Sequence, residues 1–392
     1  MDEISWREDG RDLRVRWRSE SGAPPPRRVT IADDETRADD AYRLACEGTA
    51  LLWRGDFQNA RQLLKAMARR IDRPPRTTTT AAAAARRRRK GKAEPSQVQA
   101  FHLYRQARAQ RARTLAMLLI PFDPGHVIPL RRAPDVQAAC TEAYGLDDQP
   151  YITSLRELLG LIGAHEWRAK GVPVPALAND RIHPHYGVFS PVRGEYVDLV
   201  GEAPFPPAAR TAFDIGTGTG VLAAVLARRG VERVVATDHD PRALACAQEN
   251  LTRLDVAKRV DVVQADLFPE GRAGLIVCNP PWIPAKPSSP LEHAVYDPGG
   301  RMLRGFLDGL AEHLEPGGEG WLILSDLAEL LGLRTRDELL AMIGSSGLKV
   351  AGRLDTRPAH PRAADPDDPL HAARAAETTT LWRLVHAPPD GD

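Results

Sequence analysis

Nowhere in the 392 residues do apolar side chains run together for the roughly 18 positions that a helix needs to cross a bilayer. The amino terminus, Met1-Asp-Glu-Ile-Ser-Trp-Arg, is mixed and acidic where an export signal is basic and then apolar. Membrane insertion and export are therefore not expected, and a cytoplasmic location is. Charge of one sign is also missing: 53 Lys and Arg against 52 Asp and Glu leave +1 at pH 7, so no global field draws the chain onto nucleic acid. Cysteine is scarce. Cys46, Cys140, Cys246 and Cys278 are scattered without a C-x-x-C pair, which argues against a disulfide framework or a zinc knuckle and leaves four small buried core thiols as the expectation. His183 and His185 flank Pro184, but H-x-H alone is no metal signature, so packing histidines and no metal are expected.

What is present is apolar material, 43% of the chain, enough to bury at least one core and to divide into two domains with a linker. Residues 1–76 read as a helical accessory region. Helical spacing runs from Asp39 to Arg70 through Ala41, Leu44, Leu51, Leu52, Phe57, Leu63 and Met67, as two helices parted near Gly48 or Gly55. Residues 77–95, a run of Thr, Ala and Arg ending in Lys90-Gly-Lys92, form a low-complexity basic linker. Helical character resumes over 96–172, broken by Pro121, Pro124 and Pro129, and continues the accessory region. Trp6, Trp17 and Trp53 read as staples of that region.

From about Arg181 to residue 386 short apolar runs alternate with amphipathic helices, the pattern of a parallel sheet covered on both faces. Strands are expected at 211–215, 233–237, 260–264, 275–278, 320–324, 349–354 and 379–385. The first run leads into Asp214-Ile-Gly216-Thr-Gly218-Thr-Gly220, whose glycines let the chain turn sharply and let its backbone approach a ligand. The spacing is G-x-G-x-G, and position 221 is Val, so the G-x-G-x-x-G of a dinucleotide site is absent. Asp238 closes the next strand about 20 residues on, where a carboxylate accepts both ribose hydroxyls of a nucleoside. Asp240 competes for that role but, before Pro241, reads as a helix cap. Asp266 ends the third strand, placed to accept from an adenine amine, with Leu267 and Phe268 to flank the ring; the alternative is a turn carboxylate.

The fourth strand ends in Asn279-Pro280-Pro281-Trp282. Amide and base amino nitrogens are poor nucleophiles because their lone pair is delocalised. Hydrogen bonds from the two N–H groups to the Asn279 side-chain oxygen and the Pro280 carbonyl would turn that pair toward a methyl donor, and consecutive prolines make the turn stiff. Pro281 and Trp282 would line the acceptor, and the Trp282 ring offers a stacking face worth about 1–3 kcal/mol for a nucleobase. With the glycine turn, this reads as a methyl-transfer site. The loop from Ile283 to Gly300 is long enough for a lid.

On these motifs residues 181–386 resemble the class I S-adenosylmethionine-dependent N-methyltransferases with an Asn-Pro-Pro-aromatic motif, especially the HemK-like protein-glutamine enzymes and the related small-domain RNA methyltransferases. The resemblance implies an α/β fold, a doubly wound seven-stranded Rossmann-like methyltransferase sheet, here with a mainly helical amino-terminal region. It implies S-adenosyl-L-methionine as cofactor. Asp214, Gly216, Gly218 and Gly220 would hold its methionine part, Asp238 the ribose, and Asp266 with Leu267 the adenine, while Asn279, Pro280, Pro281 and Trp282 would take the target nitrogen. The stretch Gly187-Val-Phe-Ser190-Pro191-Val-Arg193-Gly-Glu195 resembles the loop that helps close the site, which would put Glu195 on the substrate; Phe189 and Glu195 read equally as core and capping residues. The glutamine enzymes usually show Pro-Arg-x-x-Thr-Glu and a Tyr after the prolines, where this chain has Ser-Pro-Val-Arg-Gly-Glu and Trp282.

The expected partner is thus a macromolecular substrate, a protein glutamine or an RNA or DNA base, with no membrane and no specified oligomeric state. The basic tract Arg86–Lys92 favours a solvated linker over a phosphate-binding arm, having no interleaved aromatics. Two other readings stand beside the enzyme: an RNA- or partner-binding module that keeps the fold without turnover, and a nucleotide-dependent oxidoreductase, which the glycine spacing disfavours.

Overall fold

The computed structural model describes residues 2–73, 96–191, 194–286, 295–358 and 368–388. The linker expected at 77–95 lies outside them. The chain divides into two compact units, Met1–Glu166 and Trp167–Asp392.

The first unit corrects the expectation of a mainly helical region. Its helices, Ala38–Cys46, Phe57–Asp72, Gln97–Leu115, Gln137–Tyr144 and most of Leu155–Lys170, accompany a six-stranded mixed sheet. The strands are β1 (Glu3–Glu8), β2 (Arg11–Trp17), β3 (Arg28–Ala32), β4 (Thr49–Trp53), β5 (Leu118–Phe122) and β6 (Tyr151–Ser154), in the order β1-β2-β6-β5-β4-β3. The helical spacing from Asp39 to Arg70 holds at both ends, but between Gly48 and Gly55 the run Thr49-Ala-Leu-Leu-Trp53 is a strand with Ala50 to Trp53 buried. A short continuous apolar run does not distinguish a buried strand from a helix by period alone. Pro121 sits inside β5 rather than ending a helix. Asp9 and Gly10, both with positive φ, make the two-residue turn between β1 and β2. Trp6 and Trp53 are buried, and the Trp17 indole donates to the Ala23 carbonyl at 2.7 Å. Cys140, Cys246 and Cys278 are buried thiols, but Cys46, on the last turn of its helix, is exposed.

In the second unit β9 (Thr211–Ile215), β10 (Arg233–Asp238), β11 (Val260–Gln264), β12 (Ala273–Cys278), β13 (Leu314–Ser325), β14 (Leu348–Thr356) and β15 (Thr379–His386) form one sheet ordered β11-β10-β9-β12-β13-β15-β14. A minor ladder pairs β7 (Val172–Pro173) with β8 (Arg181–Ile182). The first five strands of the large sheet run parallel, and β15 enters antiparallel between β13 and β14. Alternate residues of β12 face opposite sides: Leu275 and Val277 join the core beneath the helices Glu195–Glu202 and Val221–Arg228, Ile276 and Cys278 the core beneath Arg301–His313 and Arg336–Ser345. This is why the run 273–278 reads as continuously apolar. Among the described residues no helix is long and apolar enough to cross a membrane.

Strand order reverses between β9 and β12, the position where open parallel sheets bind ligands beyond their carboxyl ends. Register makes the adjacency specific: Cys278 lies opposite Ile215. The glycine turn and the Asn-Pro-Pro-Trp corner therefore leave neighbouring strands at the same level.

Candidate functional site

Between these two corners opens a cavity of about 400 Å³. Gly216, Gly218, Asp238, Asn279 and Pro281 line it, with Thr217, Thr219, Asp240, Met302 and, from the preceding segment, Gly187 to Phe189 and Tyr196. All three motif glycines have positive φ, +71° at Gly216, +54° at Gly218 and +79° at Gly220. A Cβ at Gly220 would meet the Cα of Ala247 at 3.1 Å, so the turn is seated against the helix Pro241–Arg253. A Cβ at Gly216 would strike the end of the Met302 side chain.

The carboxylates divide their labour. Asp238 accepts from the Gly218 N–H at 3.1 Å and from the Asp240 N–H at 3.0 Å, while its side chain keeps an 11% exposed face on the cavity. Asp240 caps its helix by accepting from the Arg242 N–H at 2.9 Å. Asp214 lies beneath the turn rather than on the cavity wall. Its Oδ2 accepts from Thr217 Oγ1 at 2.6 Å and the Ala223 N–H at 3.0 Å, tying strand, turn and helix together. Its Oδ1 is buried with no partner among the described residues. Burial pushes the Asp214 carboxyl up to about 6, with the two hydrogen bonds opposing and the Asp238 charge adding to the rise. Burial likewise raises the Tyr196 phenol, reinforced by the negative charges of Asp214 and Glu195. Glu195 opens the helix Glu195–Glu202 outside the cavity lining, and its Oε1 is also buried without a partner among the described residues.

Asp266 and Leu267 are placed elsewhere. Asp266 is 65% exposed and paired with Arg301 at 2.6 Å. Leu267 turns with φ +80°, its carbonyl accepts from Thr237 Oγ1 at 2.6 Å and its side chain packs on the core beneath Arg301–His313. Phe268 stacks on His313 and Phe306 with ring centroids 4.3 and 5.9 Å away. Neither Asp266 nor Leu267 lines the cavity, because the chain leaving β11 is drawn under the helix Arg301–His313.

At the other corner Pro280 is buried and Pro281 faces the cavity. Trp282 is half-buried, packs against the cores of both faces of the sheet and is not a lining residue. Its indole Nε1 donates to the Asn279 Oδ1 at 2.9 Å. The expected open stacking face is thus replaced by a ring held in the protein with its N–H engaged. Of the expected lid, Ile283 is tied to Asp297 at 2.9 Å and to Val295 at 3.1 Å through backbone hydrogen bonds. Residues 287–294 lie outside the described ones.

Several supporting residues gave no motif. Asn250, fully buried, accepts from the His183 N–H at 2.8 Å and donates to the Thr219 carbonyl at 3.1 Å, fastening the preceding segment and the glycine turn to one helix. Its signal was a polar residue in the apolar stripe Ala243, Cys246, Ala247, Leu251. Asp297 accepts from the Met302 and Leu303 N–H groups at 3.1 Å each, fixing the helix that carries Met302 to the cavity. His183 Nδ1 contacts the Arg168 carbonyl at 2.7 Å, and His185 Nε2 meets Glu249 at 2.7 Å beside Arg168 and Arg253. These are packing histidines.

A glycine turn at the switch point, a carboxylate closing the second strand and an Asn-Pro-Pro corner on the adjacent strand meet on one cavity. Residues 181–329 match the family model described as "Methyltransferase small domain". The chain is 40% identical over 180 residues to the release factor glutamine methyltransferase of Cereibacter sphaeroides, covering 42% of this chain and 63% of that protein. It is 52% identical over 71 residues to the ribosomal protein L11 methyltransferase of Pelotomaculum thermopropionicum, covering 18% and 23%. It is 35% identical over 157 residues to the release factor glutamine methyltransferase of Geobacter sulfurreducens, covering 36% and 52%. The chain thus spans less than two thirds of the length of each of these relatives.

Proposed function

We propose that the chain is an S-adenosylmethionine-dependent N-methyltransferase that modifies a planar amide or amino nitrogen of a protein. The observation that carries this is the register of Cys278 opposite Ile215, which brings Asn279 beside Gly216 on one cavity. The residues present fit the cofactor. The glycine turn leaves bare backbone on the cavity, open at Gly218 where a Cβ would meet no atom within 4 Å, and the Asp238 carboxylate faces the cavity from the end of β10. When bound, the cofactor supplies an electrophilic methyl on a sulfonium. The chain's own task is alignment: Asn279 Oδ1 and the Pro280 carbonyl accept the two N–H groups of the acceptor and turn its lone pair toward the cavity. A strong general base is not required, because the nitrogen becomes acidic once alkylated.

A protein acceptor is favoured because the relatives above are named for release factor and ribosomal protein L11. Incubating the chain and a cell extract with labelled S-adenosylmethionine should give label that protease removes and nuclease spares. Asn279→Ala should abolish incorporation while leaving cofactor affinity by calorimetry unchanged. Label removed by nuclease would shift the acceptor to a nucleic-acid base. Cofactor binding without any incorporation would favour a binding module instead.

A further inference from the structure

Trp282 occupies the aromatic position of the corner, yet its ring face is not what the cavity receives. Three features of its setting are independent of one another. The indole Nε1 sits 2.9 Å from Asn279 Oδ1. The ring is gripped by apolar side chains from both faces of the sheet, so it does not follow the acceptor. The two residues between the partners are prolines, whose fixed φ makes the span from Asn279 to Trp282 stiff.

An indole nitrogen donates and never accepts, whereas a carboxamide presents an acceptor on one side and two donors on the other. The partner of Trp282 must therefore be the oxygen of Asn279. A rotation of the carboxamide by half a turn would set N–H against N–H. One lone pair of Oδ1 is taken by the indole, and the other remains to receive an N–H from a ligand in the cavity that Asn279 lines. Phe at 282 would keep an aromatic face but supply no donor. Tyr would carry its hydroxyl at the far end of the ring instead of at its edge.

We propose that Trp282 is a positioning residue: through its indole N–H it fixes the Asn279 carboxamide with the oxygen, rather than the amino group, available to the acceptor nitrogen. The proposal rests on the methyl-transfer reading and adds to it a residue that acts through Asn279 without touching the substrate. An aromatic platform and an amide lock make opposite demands on position 282. Stacking needs only a flat ring, and the lock needs the N–H.

Trp282→Phe separates them. With labelled S-adenosylmethionine at saturation and total protein from a cell extract as acceptor, the rate should fall about 10–100-fold, as for a misaligned reacting group. Cofactor affinity by calorimetry should stay at the wild-type value, while the melting temperature falls by the lost packing of the smaller ring. Should the Phe variant fail to fold, benzothienylalanine at position 282 keeps the bicyclic shape and replaces the N–H by sulfur; the same loss is expected. A direct readout needs no turnover. Of the seven indole N–H resonances that the tryptophans supply, the one belonging to Trp282 should shift and exchange faster in Asn279→Ala. A wild-type rate in the Phe or benzothienyl variant overturns the proposal, as does an indole resonance indifferent to Asn279→Ala. No incorporation by the wild-type chain overturns the methyl-transfer reading itself, an outcome distinct from either.

Discussion

Asp214 is a residue in which fold and charge are in tension. It is fully buried, its Oδ2 holds the turn to the helix, and its Oδ1 has no partner among the described residues, so burial favours the protonated form and pushes the carboxyl up to about 6 from an ordinary 3.8. A raised carboxyl binds its proton more tightly in the folded chain than in the unfolded one. Stability from this group is therefore greatest below pH 3.8 and is lost as pH rises through 6. Lowering pH from 7 to 5 should add about 1 kcal/mol through Asp214 alone. Asp214→Asn keeps an oxygen for Thr217 and Ala223 and removes the titration. Urea unfolding at the two pH values should show the gain in the wild type and a flatter response in the variant. Glu249 works the other way. Burial raises it, but hydrogen bonds from Arg253, His185 and Arg168 prevail and hold it at about 2, so its stabilisation declines only as pH falls below 4.5. At residue scale the sequence showed which side chains carry charge near the site, and Asp240 as a cap follows from its place before Pro241. It did not show that Asp266 would turn to Arg301 or that the Trp282 indole would turn to Asn279, since both depend on elements distant in the chain or on how a ring is packed.

The glycine turn is where an element imposes its geometry on the site. Gly220 has φ +79° and abuts the Ala247 backbone, which belongs to a helix and does not yield. Gly220→Ala should cost at least about 1–2 kcal/mol for the left-handed conformation alone. Contact with Ala247 adds to this, and cofactor affinity should fall with it; chemical denaturation and calorimetry measure the two effects. The seven strands of this sheet were legible because each carries a short apolar run bounded by turn residues and alternates with an amphipathic helix, and β9 and β11 fall on the expected residues. The strands of the first unit were not. Leu51-Leu52-Trp53 and Leu118 to Pro121 fit a helical stripe as well as a buried strand, and the flanking residues are truly helical. What made β4 and β5 strands is their pairing with each other and with β3 and β6, which no local period records.

At the scale of the molecule, every residue lining the cavity falls between Gly187 and Met302, inside the second unit. The helix Leu155–Lys170 crosses the division at Glu166, and its Arg168 holds Glu249 at 2.7 Å. A chain beginning at Leu155 keeps that helix whole and should bind S-adenosylmethionine with the affinity of the full chain, measured by calorimetry. Loss of incorporation into the protein acceptor without loss of cofactor binding would assign the first unit to substrate recognition. The sequence by itself determined the parallel sheet, the glycine turn and the Asn-Pro-Pro corner, because strand burial, positive φ and proline stiffness are properties of a few consecutive residues. Only the tertiary structure decided that β15 enters between β13 and β14, that Cys278 stands opposite Ile215 and that the first unit holds a sheet. Strand order and register are settled by hydrogen bonds and packing between segments far apart in the chain, and those energies exist only once the segments meet.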